Sequence, residues 1–179
     1  MKKEINFTSF KELKTERLLL RSLKTTDKKE IFFLRSDPEI NRYIMRTKTS
    51  TIEEALSFIK SRNNDLKENK SFYWAITIKG NPKLIGTICL WNFSEDKKTA
   101  ELGYELFPAF QGRGIMNEAV KKVIELSFQN MEVETLEAFT HKDNIKSKLL
   151  LLKNNFSHDP KRKDEDNTDN LIFVLKKKI

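Results

Sequence analysis

The chain has 179 residues but only one cysteine, two histidines, four prolines and five glycines. A lone thiol, Cys89, excludes an internal disulfide and fits a reducing, cytoplasmic compartment. His141 and His158 are isolated and have no cysteine partners, which is poor zinc spacing, so no metal is expected. No run approaches the ~18 apolar residues of a membrane span, so no membrane partner is expected. The N-terminal MKKEINFTSF is basic but lacks an apolar stretch and does not read as a signal peptide. The sequons at Asn6, Asn92 and Asn155 therefore carry no weight. Glycine is scarce enough for its placement to be informative. Two of the five, Gly112 and Gly114, sit within FQGRGIMNEA, just before a helix-like run.

Hydrophobic residues make up 38% and charged residues 34%, with 13 Phe, which is a globular composition and not a disordered one. The length fits one domain, residues 1–179. The net charge of +8 favours anionic ligands. A nucleic-acid binder needs a basic stripe interleaved with aromatics. Here Lys and Arg are scattered among 26 acidic residues, so no specific nucleic acid is expected, and a basic RNA- or ribosome-binding module is the rival class.

Periodicity divides the chain. TERLLLRSL (15–23) reads as a strand buried on both faces. A helix follows over TTDKKEIFFLRSD, with Thr26 or Asp27 as N-cap, and Pro38 ends it and opens a second short helix. A third helix starts at a Ser50 or Thr51 cap. FYWAITI (72–78) and LIGTICLWNF (84–93) form a hairpin around KGNPK, and TAELGYELF (99–107) is a further strand. An amphipathic helix spans 116–131, a strand 133–141, a helix 144–156 and a last strand 170–177. The charged run HDPKRKDEDNTDN reads as a solvated loop. This order suggests a mixed α/β sheet with helices on its faces.

A strand ending at Pro108 and a helix beginning near Gly114 leave the helix's first N–H groups without internal partners. Those donors, with the positive end of the helix dipole, suit a phosphate or pyrophosphate, and the glycines remove side chains that would block it. Gln111 and Arg113 can add contacts. A tight turn with no ligand uses the same residues. The third glycine of G-x-G-x-x-G is replaced by Asn117, and no triphosphatase P-loop is present.

Gln111-Gly112-Arg113-Gly114-Ile115-Met116 resembles the Q/R-x-x-G-x-G/A motif of the GCN5-related N-acetyltransferases (GNAT). LKTERLLLR (13–21), AELGYEL (100–106) and NIKSKLLLLKNNF (144–156) are similar to the first strand, fourth strand and last helix of the branch that acetylates ribosomal-protein N-termini. The resemblance implies a GNAT fold: a mixed, mostly antiparallel sheet with a splayed central pair of strands and helices on both faces. It also implies acetyl-CoA as cosubstrate, with its pyrophosphate held by Gln111, Gly112, Arg113, Gly114, Ile115, Met116 and Asn117. A backbone N–H near Leu106 or Phe107 would face the oxyanion, Ser147 would act as an acid toward the thiolate, and Asn144 would cap the helix and touch pantetheine. Met116 stands in place of Gly/Ala, Asn155 in place of a glycine, and Leu151 where many relatives carry a tyrosine acid.

The implied reaction is direct acetyl transfer to a primary amine, which must be neutral to attack. Glu101 is the first candidate base, and Glu105, on the same strand face, is the second. The acceptor implied is a protein N-terminus, such as that of a ribosomal protein, with a small amine as the alternative. The acceptor walls are expected from 37–50 and 158–170. A non-catalytic acetyl-CoA sensor is a further alternative, and either a monomer or a homodimer is compatible. Cys89, Trp74 and Trp91 read as core residues, with substrate lining as the lesser option for either tryptophan.

Overall fold

In the computed structural model, which describes residues 7–178, the period-two runs pair into one eight-stranded sheet. The N-terminal stretch before Phe7, read above as no signal peptide, lies outside the described residues. The strands are β1 (Glu12–Lys14), β2 (Leu18–Ser22), β3 (Phe72–Ile78), β4 (Asn81–Trp91), β5 (Thr99–Leu106), β6 (Thr135–His141), β7 (Ser157–His158) and β8 (Asn170–Lys176). Their spatial order is β1-β2-β3-β4-β5-β6-β8-β7. Every pairing is antiparallel except β5 with β6. This is the mixed, mostly antiparallel sheet expected from the sequence.

Alternation along the strands feeds two separate cores. On β3, Phe72, Trp74 and Ile76 enter the larger core, which also holds Ala119, Val120 and Val123 of α3 (Ile115–Asn130) and Leu151 of α4 (Ile145–Lys153). Ala75 turns the other way, to Ile31 and Leu34 of α1 (Lys28–Ser36) and Ala55 and Ile59 of α2 (Ile52–Lys67). Helices therefore cover both faces. No helix among the described residues is long and apolar enough to cross a membrane.

Thr51 caps α2, its hydroxyl accepting from Glu54 N–H at 3.1 Å. Asp27, expected to cap α1, makes no such bond. Its carboxylate is held by Arg21 in two 2.8 Å contacts and by Lys24 N–H at 2.7 Å. This buried pair fastens α1 to β2. The segment after Pro38 forms only a short 3-10 turn, Ile40–Tyr43.

Candidate functional site

β5 and β6 share three rungs, Thr99↔Thr135, Ala100↔Leu136 and Glu101↔Glu137, and then part. β5 continues to Leu106 along β4 alone. Phe107 N–H donates to Ile85 C=O at 2.9 Å, so of the two expected oxyanion donors Phe107 is already committed. Backbone groups alternate direction along a strand, which turns the N–H groups of Tyr104 and Leu106 toward the gap. Of the two expected donors, Leu106 is the one whose N–H is turned to the gap.

Beyond the gap the chain turns through Pro108–Phe110 into the glycine-rich loop. Gly112 and Gly114 both adopt φ of +74°, a conformation costly for other residues. Gly114 occupies the N-cap position of α3 and supplies no side-chain cap. Among the described residues, no acceptor takes the backbone N–H groups from Gly112 to Asn117. A Cβ at Gly112 would meet nothing within 4 Å, so the space in front of these donors is open. Ile115 and Met116 point into the core, so both offer the site only their backbone, and the Met116 side chain does not narrow the turn.

Three expected ligand-facing side chains are engaged within the protein. Gln111 donates from Nε2 to Leu106 C=O at 3.1 Å and accepts from Lys146 Nζ at 3.0 Å, bridging β5 to α4. Asn117 Oδ1 accepts from Asn154 Nδ2 at 3.0 Å, joining α3 to the end of α4. Asn144 caps α4, accepting from Ser147 N–H at 3.1 Å. Arg113 is exposed at the loop tip, with its guanidinium 5.9 Å from the Phe110 ring centre and its carbonyl accepting from Arg17 at 3.1 Å. Arg17 is in turn held by Glu118 of α3 at 2.7 Å. Burial would raise the Glu118 pKa, but hydrogen bonds from Thr15 and Arg17 outweigh it and hold the carboxyl below its ordinary value.

On the opposite face of β5, Glu101 and Glu105 have separate fates. Arg46 grips Glu105 in a fork, Nη1 to Oε1 at 3.0 Å and Nη2 to Oε2 at 2.6 Å, and Tyr73 donates to it at 3.3 Å. Both oxygens of that carboxylate are held by protein donors. Glu101 has no ion-pair partner among the described residues, and Asn92 reaches it only in a long 3.4 Å hydrogen bond. Burial, then the Asp164 and Glu137 carboxylates, push Glu101 up to about 7, while the contacts from Asn92 and Trp91 pull the other way.

Trp91, directly opposite Glu101 in the β4–β5 register, is 43% exposed; it is not the core residue expected, whereas Trp74 is. Burial, with Glu105 and Glu101 nearby, pushes the Cys89 thiol up to about 12, so it is no nucleophile. Both expected acceptor walls reach this face. Tyr43 of the 37–50 segment lies 5.3 Å, ring to ring, from His141 at the end of β6. Arg162 of the long loop pairs with Glu137.

Ser147 lies in the first turn of α4, its hydroxyl 2.9 Å from the Tyr104 hydroxyl across the gap. Leu151, one turn on, is fully buried. Sequence reasoning missed Tyr104, Arg46, Lys146 and Arg17. Strand alternation placed Tyr104 opposite Glu101 and Glu105, which was the one signal available. The other contacts span 35 to 101 residues of sequence and depend on how distant elements dock.

A family model described as "Acetyltransferase (GNAT) domain" matches residues 17–157. The N-acetyltransferase YoaA of Bacillus subtilis is 32% identical over 147 residues, covering 82% of this chain and 83% of YoaA. Among solved structures, an acetyltransferase from Salmonella typhimurium that modifies the N-terminal serine of ribosomal protein L7/L12 superposes with a TM-score of 0.77 at 16% identity, covering 92% of this chain and 97% of that one. The microcin C7 self-immunity acetyltransferase MccE, solved with acetyl-CoA and AMP, superposes with a TM-score of 0.76 at 22% identity, covering 90% and 93%. With the parted strands and the glycine loop, these matches establish that the chain belongs to the GNAT family of N-acetyltransferases.

Proposed function

We propose that this chain transfers the acetyl group of acetyl-CoA to a primary amine, most suitably a protein N-terminal α-amine. The observation that carries the cosubstrate assignment is the run of unpartnered N–H groups from Gly112 to Asn117 above an open Gly112. Such a cradle of backbone donors at a helix N-terminus suits a pyrophosphate. When bound, acetyl-CoA supplies an activated thioester. Leu106 N–H would meet the carbonyl oxygen of that thioester; the end of the β5–β6 pairing before Leu106 supports this reading. Trp91, Tyr43 and the 158–170 loop line the acceptor side.

Glu101 is the proposed base. At a pKa of about 7 it is half ionised at neutral pH, so it can both accept and release a proton there. An α-amine has an ordinary pKa of about 7.7–8.0 and a lysine amine about 10.4. Moving a proton to Glu101 is uphill by roughly 1 kcal/mol from an α-ammonium, but by roughly 4–5 kcal/mol from a lysine ammonium. That difference, together with the likeness to an enzyme that modifies an N-terminal serine, supports the α-amine reading. The alternative acceptor is a small amine of similarly low basicity.

Titration calorimetry with acetyl-CoA, using dephospho-CoA and ATP as controls, followed by thiol release with peptides, tests the proposal. Acetyl-CoA should bind and ATP should not. A peptide with a free N-terminus should release thiol faster than the same peptide blocked at its N-terminus with an internal lysine. Absence of acetyl-CoA binding refutes the whole reading; equal rates with both peptides refute the α-amine preference.

A further inference from the structure

We propose that Tyr104 is a positioning residue that aims the Ser147 hydroxyl at the thioester sulfur. This rests on the proposed function and adds a residue that neither the resemblance nor the comparisons assign. The two hydroxyls lie 2.9 Å apart, and either oxygen could be the donor on distance alone. Chemistry selects the direction. A phenol is the more acidic hydroxyl and the better donor, and an aliphatic hydroxyl is the better acceptor. Among the described residues the Tyr104 hydroxyl has no other side-chain or backbone acceptor. With the Tyr104 proton on Ser147 Oγ, the Ser147 proton must point elsewhere.

The fold fixes where. Tyr104 lies on the part of β5 that β6 has left, and its ring packs against the larger core. Ser147 has its own N–H taken by Asn144, and buried Leu151 one turn later fixes the rotation of α4. The pair therefore spans the gap between β5 and α4, beside the Gln111–Lys146 bridge that spans it further along. On this proposal the remaining Ser147 proton turns to the space between β5 and α4, where the ligand's thiol end would lie. Burial pushes the Tyr104 phenol up to about 12, so it stays a donor at any physiological pH.

The role in the reaction follows. As the new N–C bond forms and the C–S bond breaks, the electron pair leaves on sulfur and the amine proton passes to Glu101. The Ser147 O–H donates a hydrogen bond to the sulfur and keeps its proton, and Tyr104 prevents that O–H from turning back toward the protein. The leaving thiolate needs help but not full protonation, because a thiol near pKa 8.5 leaves tolerably unaided.

The test uses coenzyme A itself in its binary complex with the protein, so no acceptor need be known. The thiol pKa of bound coenzyme A is read from thiolate absorbance against pH for wild type, Ser147→Ala, Ser147→Thr and Tyr104→Phe, with affinity measured in parallel by calorimetry. Cys89, at about 12, is silent over the useful range. Wild type should hold the bound thiol below that of free coenzyme A. Ser147→Ala should raise it about tenfold in proton affinity, Tyr104→Phe should raise it by about threefold or more, and Ser147→Thr should keep the wild-type value. The double substitution Ser147→Ala with Tyr104→Phe should do no more than Ser147→Ala alone.

A Tyr104→Phe protein with the wild-type thiol value overturns the positioning role. An unchanged value in Ser147→Ala overturns the whole assignment, and does so even if Tyr104→Phe fails to fold. Failure of coenzyme A to bind wild type is a separate outcome, which removes the proposed function on which this rests.

Discussion

Glu101 should make the protein less stable where it is most active, and replacing it should reveal this. The carboxyl is displaced from the ordinary value of 4.5 to about 7, chiefly by burial. A carboxyl whose pKa is higher folded than unfolded binds more protons in the folded state. Stability therefore falls as pH rises from about 4.5, and the loss is complete above about 7. At about 1.4 kcal/mol for each tenfold in proton affinity, the full loss is on the order of 3 kcal/mol, an upper figure because residual solvent at this partly buried side chain screens it. Glutamine has the shape of the neutral acid and never ionises. Glu101→Gln should therefore match wild type closely at pH 4.5 and exceed it in Tm by on the order of 5 °C at pH 8, for a chain whose Tm moves about 2–4 °C per kcal/mol. Thermal unfolding followed by circular dichroism at both pH values measures this without any ligand. A Tm difference that is the same at pH 4.5 and pH 8 would show that Glu101 titrates normally, and the argument that burial prepares it as a base would fail.

Two other substitutions probe the loop and the frame behind it. Gly114→Asp adds a carboxylate at the N-cap of α3, with its Cβ 3.5 Å from Arg17 Nη2, and should weaken acetyl-CoA binding by at least about 100-fold by calorimetry while the fold survives; unchanged affinity would remove the anion cradle. Asp27→Ala strands the buried Arg21 guanidinium and should cost about 3–5 kcal/mol in urea unfolding, with the apolar pair Arg21→Met, Asp27→Leu recovering much of it; a loss below about 1 kcal/mol would mean that the pair is not a fastening between β2 and α1.

Much of the fold could be read because burial imposes its period on the sequence. FYWAITI is a strand over the residues predicted, 72–78, since its alternation serves two cores. The helix at 116–131 is displaced by one residue, to 115–130. The left-handed Asn155, φ +64°, takes the place of a helix-ending glycine as its side-chain chemistry suggested. Errors arose where local residues answer to distant ones. KGNPK does hold the turn, but only Lys79 and Gly80 make it, and β4 begins already at Asn81. Pro82 is tolerated because this end of β4 runs past the end of β5, and its carbonyl serves Arg21 at 2.8 Å. Asp27 looked like a cap and is half of an ion pair. Glu101 and Glu105 are indistinguishable by alternation. They part only through Arg46, which comes from a segment with no readable pattern. The glycine loop was legible as backbone chemistry, whereas the side chains around it, Gln111 and Asn117, turned out to be braces between elements.

The three rungs between β5 and β6 also have a mechanical meaning. Backbone hydrogen bonds knit β1 to β5 along their lengths and likewise join β6, β7 and β8, but the seam between these two sets is stitched at one end only. An extended ligand bearing amide groups could act there as a missing strand, supplying rungs that no described residue provides. Filling such a seam ties the C-terminal quarter to the rest, so its resistance to local opening rises with the concentration of the small molecule. If the proposed cosubstrate binds there, the durability of the polypeptide would be set partly by the metabolite pool around it.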